Sequence, residues 1–203
     1  MEQTCNTITI RGSLCELPQF SHENQGRKFY RFYLDVPRLS GTVDTLPVIA
    51  QDILLKNLDP TAGSMIRVTG QIRSYNQRSD GIRHLIIFVF ASEICVEEGE
   101  PINEVVLEGP LCKDPVYRRT PLGREICDAM LAVPRAFRRA DYLPCILWGR
   151  TALEVSQCVT RDVIRIWGRL QSRRYTKVTE EGSIERTAYE ISGLCAELLS
   201  QED

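Results

Sequence analysis

The chain repeats itself. Shifted by 97 residues along its own sequence, Gly12 lies on Gly109, Leu14 on Leu111, Cys15 on Cys112 and Pro18 on Pro115. The match continues with Gly26-Arg27 on Gly123-Arg124, Leu34 on Leu131 and Val36-Pro37-Arg38 on Val133-Pro134-Arg135. Leu46-Pro47 then falls on Leu143-Pro144, and Ile49 on Ile146. These 13 identities all fall between positions 12 and 49, where average composition gives about two or three. A one-residue slip puts Gly70 on Gly168 and Ser74 on Ser172, and two more put Ser92 on Ser192 and Cys95 on Cys195. Long matched blocks with small gaps mark a tandem duplication whose loops have changed length. The 203 residues therefore divide into copies at 1–97 and 103–203. Between them, Glu97-Glu98-Gly99-Glu100-Pro101 reads as a short charged linker, with 98–102 as its span. Each copy is long enough for a modest core, and so short a link implies that the two pack as a pair.

Within each copy the dominant pattern is alternation. In Ile164-Arg165-Ile166-Trp167-Gly168-Arg169-Leu170-Gln171-Ser172-Arg173 the even positions are small or apolar and the odd ones carry arginines and a tryptophan. The first copy matches it, with Ile66, Val68, Gly70, Ile72 and Ser74 on one face and Arg67, Thr69, Gln71, Arg73 and Tyr75 on the other. Period two predicts half-buried strands. Further strands are predicted at 6–14, 28–36, 45–51 and 83–96, and at 103–111, 124–133, 141–149 and 186–198. Residues 52–58 and 150–157 read as short helical or irregular connections, and Asp80-Gly81 and Glu181-Gly182 as hairpin tips. Five strands with a short helix between the third and fourth is the element order of an OB-fold, a five-stranded Greek-key barrel. The predicted class is all-β, two tandem OB-folds, with Gly70 and Gly168 at strand bends.

Composition narrows the function. At 43% hydrophobic and 26% charged the chain is globular. No apolar stretch reaches the ~18 residues of a membrane span, and the N-terminus lacks the basic start and apolar run of a signal peptide. Eight cysteines without a CxxC, and only His22 and His84 beside them, do not predict a zinc site. They read as free thiols of a cytoplasmic protein. Net charge is −2, yet 21 of the 25 basic residues are arginine and 15 of the 25 follow Glu100. Arginine stacks on bases and forks onto phosphates, so a local basic groove is compatible with the acidic average.

The second copy resembles the bacterial single-stranded DNA-binding protein family from Asn103 to about Leu199. The resemblance rests on Asn103-Glu104-Val105-Val106-Leu107-Glu108-Gly109, Lys113-Asp114-Pro115, Thr120-Pro121-Leu122-Gly123 and Leu131-Ala132-Val133, followed by 141–150 and 168–175. In the first copy, Leu46-Pro47-Val48-Ile49-Ala50, Ile66-Arg67-Val68-Thr69-Gly70 and Asp80-Gly81-Ile82-Arg83-His84-Leu85 resemble primosomal replication protein B, a single OB-fold relative. The resemblance implies binding of single-stranded DNA in replication, recombination or repair. It also implies no cofactor, a location on the bacterial nucleoid, and a homodimer presenting four OB-folds with replication proteins as possible partners.

Sequence-independent grip on a single strand needs aromatic faces for bases and cations for phosphates. Tyr142 and Trp148 lie six apart and so share one strand face, opposite Leu143, Cys145 and Leu147. The resemblance places both, with Tyr175, at base-stacking positions, and Phe137 is a looser match; core packing is the alternative for each. Arg138, Arg139, Arg173, Arg174 and Lys177 flank two hairpin loops, with Arg118, Arg119, Arg124 and Arg150 as further candidates and surface ion pairs as the alternative. Trp167, with Arg165 and Arg169, reads as a subunit contact. At the stacking positions the first copy has Thr45, Gln51 and Gln77. Weak binding is expected there, through Arg38, Arg73, Tyr75 and Arg78 at most, or a role in dimerisation. After the last predicted strand come Leu198-Leu199-Ser200-Gln201-Glu202-Asp203, and recruitment through an acidic tail, which the resemblance would imply, is not expected. No nucleophile–base pair, phosphate loop or carboxylate cluster predicts an enzyme. A scaffold of a primosome-like assembly is the alternative reading, and RNA a variant ligand.

Overall fold

A pair of residues sets the symmetry of the molecule: Ile8 pairs with Val105, the residue that the repeat makes its own equivalent. The computed structural model describes residues 5–56, 58–79, 82–179 and 182–199. The first copy contains β1 (Asn6–Leu14), β2 (Gln19–Asn24), β3 (Arg27–Pro37), β4 (Val43–Gln51), α1 (Asp52–Leu55), β5 (Met65–Ser79) and β6 (Ile82–Val96). The second contains β7 (Ile102–Pro110), β8 (Val116–Arg119), β9 (Glu125–Arg135), β10 (Arg139–Trp148), α2 (Gly149–Val155), β11 (Val163–Thr179) and β12 (Gly182–Leu199). Strand order is β2-β3-β4-β6-β5-β1-β7-β11-β12-β10-β9-β8, a sequence that reads the same from either end once equivalents are matched. The hinge of this palindrome is the antiparallel β1–β7 ladder, centred on Ile8 and Val105.

Each copy closes on itself as an OB-fold. In the first, Ser13 and Leu14 at the end of β1 pair with Asp35 and Leu34 of β3. In the second, Leu111 bridges Leu131. Inward residues of the alternating strands fill the barrels: Ile8, Phe32, Leu34, Leu46 and Val48 in one, Leu107, Leu131, Leu143, Cys145 and Leu147 in the other. α2 buries Ala152 and Val155 against the second core. No helix among the described residues is long and apolar enough to cross a membrane.

Gly70 and Gly168 sit at β-bulges, where pairing slips between Thr69 and Gly70 and between Trp167 and Gly168. A Cβ at either would strike a carbonyl oxygen of the neighbouring strand, Phe90 or Ser192. Close backbone approach at the bend, as predicted, is what requires glycine.

Each copy adds one short strand to the five of its barrel: β2 and β8 lie at the two edges of the sheet, paired with β3 and β9, and are exposed along their whole length, so neither carried an alternating signal. Two expectations need correction. β7 starts at Ile102, inside the stretch read as linker. That stretch is also anchored, since Glu97 pairs with Arg67 and Arg11, and Arg11 Nε donates to the Glu100 carbonyl at 2.8 Å. Finally, the match of Ser92 to Ser192 and Cys95 to Cys195 is a coincidence of identity. Val48 pairs with Val89 and its equivalent Cys145 with Ile191, which puts β12 at an offset of 102 from β6. The β11–β12 hairpin is two residues longer on each strand, closing at Thr179 and Gly182. Asp80, Gly81, Glu181, residues 1–4 and 200–203 and the Lys177 side chain lie outside what is described.

Candidate nucleic-acid interface

The outer face of the second barrel is a groove with an aromatic end. β10 alternates strictly, so Leu143, Cys145 and Leu147 enter the core while Tyr142, Pro144, Ile146 and Trp148 face out. Tyr142 is 49% exposed. Trp148 is half-buried, and its indole Nε1 donates to Ser192 Oγ at 3.0 Å, which fixes the ring edge against β12. Tyr175, on β11, is 39% exposed, and the Arg173 guanidinium carbon lies 5.8 Å from its ring centroid. A cation over a π face suits an environment that also receives phosphate.

The floor of this groove is polar. Gln171 and Glu190, both nearly buried, face each other from β11 and β12, Gln171 Nε2 donating to Glu190 Oε1 at 2.8 Å. Arg173 Nε lies 3.7 Å from the same oxygen, and Asp128 on β9 holds Arg118 through Nε at 2.5 Å and Nη2 at 3.2 Å. Spacing alone did not nominate Glu190, Gln171 or Ser192. Their signal was a polar side chain beside a buried aliphatic one: Glu190 and Ser192 flank Ile191, and Gln171 follows Leu170.

The β9–β10 hairpin carries the remaining aromatic. Phe137 is 94% exposed and adopts φ 61°, with Arg138 beside it at φ 54°. Two successive non-glycine residues in the left-handed region are costly, and such strain gathers at ligand-contacting loops. Arg138, Arg139 and Arg174 are exposed. Arg124 is exposed in the turn before β9, Arg119 pairs with Glu125 at 3.0 Å, and Arg150 pairs with Glu154 at 2.8 Å one turn along α2. Surface pairs of this kind contribute about 0–1 kcal/mol, so an incoming phosphate displaces the carboxylate at little cost.

The first-copy candidates divide. Tyr75 is 50% exposed and Arg78 is exposed. Arg38 and Arg73 instead hold the copies together. Arg38 forks onto buried Asp44 at 2.7 and 2.5 Å and reaches the Ser172 carbonyl at 3.3 Å. Arg73 Nη1 lies 3.4 Å from buried Asp141, which also accepts from Arg135 at 3.1 Å. Burial, and next the charge of Arg135, pull the Arg73 guanidinium below its ordinary pKa. Arg165 binds Glu108 at 2.8 Å and lies over Trp167, so these two occupy the outward face of β11. Arg169, further along, is half-buried with its Nε unpartnered, and burial, followed by the charge of Arg38, lowers its pKa.

Comparison with known proteins matches this architecture. The Single-strand binding protein family model covers residues 102–197. Single-stranded DNA-binding protein 1 of Staphylococcus aureus (strain COL) is 41% identical over 81 residues, which are 36% of this chain and 48% of that protein. The chain thus spans about half the length of that relative. Single-stranded DNA-binding protein B of Bacillus subtilis (strain 168) is 38% identical over 87 residues, 39% of this chain and 75% of that protein. The crystal structure of wild-type single-stranded DNA binding protein from Thermus aquaticus shares the fold at a TM-score of 0.81 and 22% identity, covering 99% of this chain and 96% of that one. With its second copy matched along nearly its whole length, the chain belongs to the single-strand binding protein family.

Proposed function

We propose that this is a non-catalytic protein that binds single-stranded DNA along the outer groove of its second OB-fold. The observation that carries this reading is the outward row of Tyr142 and Trp148 on β10, next to Tyr175 under Arg173. Bases stack on these faces at roughly 1–3 kcal/mol each. Arg138, Arg139, Arg173 and Arg174, with Lys177, meet the phosphates and release condensed counterions. The relatives are named for the same ligand, and on that basis we place the protein in DNA replication, recombination or repair, as a bacterial, nucleoid-associated homodimer of four OB-folds.

Titration of a fluorescent oligo-dT with the wild type and with Tyr142→Ala/Trp148→Ala, at low and high salt, tests it. Binding that weakens steeply with salt and at least ~10-fold in the double variant is expected, since two stacked bases are lost. A folded wild type that ignores oligo-dT at low salt sinks the proposal and points to protein partners.

A further inference from the structure

The two copies differ at the end of the barrel that their short helices cover. In the second, α2 buries Ala152 and Val155. α1 buries no residue, and Leu55 and Leu58, the equivalents of Ala152 and Val155, stay half-buried. A polar lock is missing as well. In the second copy Asp114 Oδ1 accepts from the Thr160 N–H at 2.8 Å and from its hydroxyl at 2.7 Å. That carboxylate ties the turn before β8 to the loop after α2. In the first copy Leu17 stands in the place of Asp114, and Tyr30 in that of the buried Cys127.

The result is an open cleft of about 520 Å³ in the first copy. Leu17, Pro18, Tyr30, Leu55, Leu58 and Pro60 form its apolar wall. Phe20 extends that wall, its ring edge-on to Tyr30 at 6.0 Å, and both Leu17 and Phe20 are more than half exposed. Single exposed apolar residues are ordinary, but a cluster around a cleft with a polar rim marks an interaction site. The fold does not demand this cluster, because the second copy builds the same corner from Asp114 and Cys127.

The rim decides what the cleft takes. Asp52, Lys56 and Asp59 border it, and none of their side chains has a hydrogen-bond or ion-pair partner among the described residues. Two carboxylates against one ammonium repel a phosphate backbone and attract a cation. A peptide matches all of these groups: an apolar side chain for the wall, a neighbouring lysine or arginine for the carboxylates, and a main-chain carbonyl for Lys56.

The geometry points to a docking site for a partner protein at this cleft, taking a short segment with a large apolar anchor beside a basic residue. It goes beyond the function proposed above, since the cleft shares no lining residue with the groove of the second copy. Partner and strand occupy different surfaces.

The test is selection of phage-displayed random dodecapeptides on the full chain. The enriched peptide is then titrated by fluorescence polarisation into the wild type, Leu17→Asp and Asp52→Asn/Asp59→Asn. Leu17→Asp installs the residue that the second copy uses at this place, and a circular-dichroism melt checks folding. Enriched peptides are expected to share the apolar–basic pairing and to bind Leu17→Asp at least ~10-fold more weakly, because a buried leucine contact is lost. Asp52→Asn/Asp59→Asn should lose ~2-fold or more at low salt and less at high salt. If Leu17→Asp fails to fold, the double variant decides. Excess oligo-dT should leave the peptide bound. No enrichment over Leu17→Asp, enrichment of acidic sequences, or displacement by oligo-dT overturns the inference while the strand-binding function stands. Sedimentation that shows wild-type chains associating through Leu17 makes the occupant a second copy and also overturns it. A wild type that ignores oligo-dT yet selects the peptide overturns only the function.

Discussion

Asp44 and Asp141, equivalent residues 97 positions apart, each lie fully buried and each bind the backbone of the opposite copy. Asp44 accepts from the Ser172 N–H at 2.7 Å and Oγ at 3.1 Å; Asp141 accepts from the Ser74 N–H at 2.6 Å. Each also holds the arginine six residues before it, Arg38 or Arg135, and so aims that guanidinium across the dyad.

Asp141→Ala leaves Arg135 and Arg73 without their shared acceptor and the Ser74 N–H unpaired. Breaking a buried pair by removing one partner costs roughly 3–5 kcal/mol. We expect a fall of about 3 kcal/mol in unfolding free energy, because both arginines keep some contact with water. Urea melts check this, and a loss below ~1 kcal/mol would show that water replaces the carboxylate.

Asn6 is 5% exposed and spends both ends of its amide on one residue, donating to the Ile72 carbonyl and accepting from the Ile72 N–H, each at 2.9 Å. It continues the β1–β5 ladder two residues past its last backbone pair, Ile8 with Gly70. Asn6→Ala is expected to cost about 1–3 kcal/mol, and Asn6→Asp a similar amount because it cannot donate. Amide exchange at Ile72 should accelerate in both variants.

Phe137→Gly separates strain from binding. Glycine accepts the left-handed backbone at no steric cost, so thermal stability should hold or rise, by up to ~1 kcal/mol. Affinity for single strands should fall, because the exposed ring is gone. A stability loss with unchanged affinity would make Phe137 a packing residue.

Partial burial, and then the carboxylate of Asp35, push the Cys15 thiol up to about 11. The thiolate is the reactive form. Alkylation of Cys15 by iodoacetamide should therefore climb about tenfold per pH unit from pH 7 to 10 and level off near 11. Asp35→Asn should move the plateau to lower pH. Mass-spectrometric rates at that cysteine report both, and a plateau near 9 in the wild type would contradict the structure.

The strands that form the barrels were legible because each buries one face. Period two located β1 and β7 within a residue and explained why Leu143, Cys145 and Leu147 oppose Tyr142 and Trp148. β2 and β8 escaped because no residue in them is buried. The offset of β12 escaped because lengthening a hairpin by two residues per strand changes it by four, and a chance serine and cysteine filled the gap.

Fusion of the two barrels into one polypeptide has a consequence for a ligand with ends. Halves related by a true two-fold axis present the same surface to a strand and to its reverse. Here the halves differ where a strand would lie: Trp148 against Gln51, Glu190 against Phe88, and Arg169-Leu170-Gln171 against Gln71-Ile72-Arg73. A polynucleotide running 5′ to 3′ over one chain and one running 3′ to 5′ would meet different chemistry at these positions, so a single chain carries a direction that a pair of identical barrels lacks.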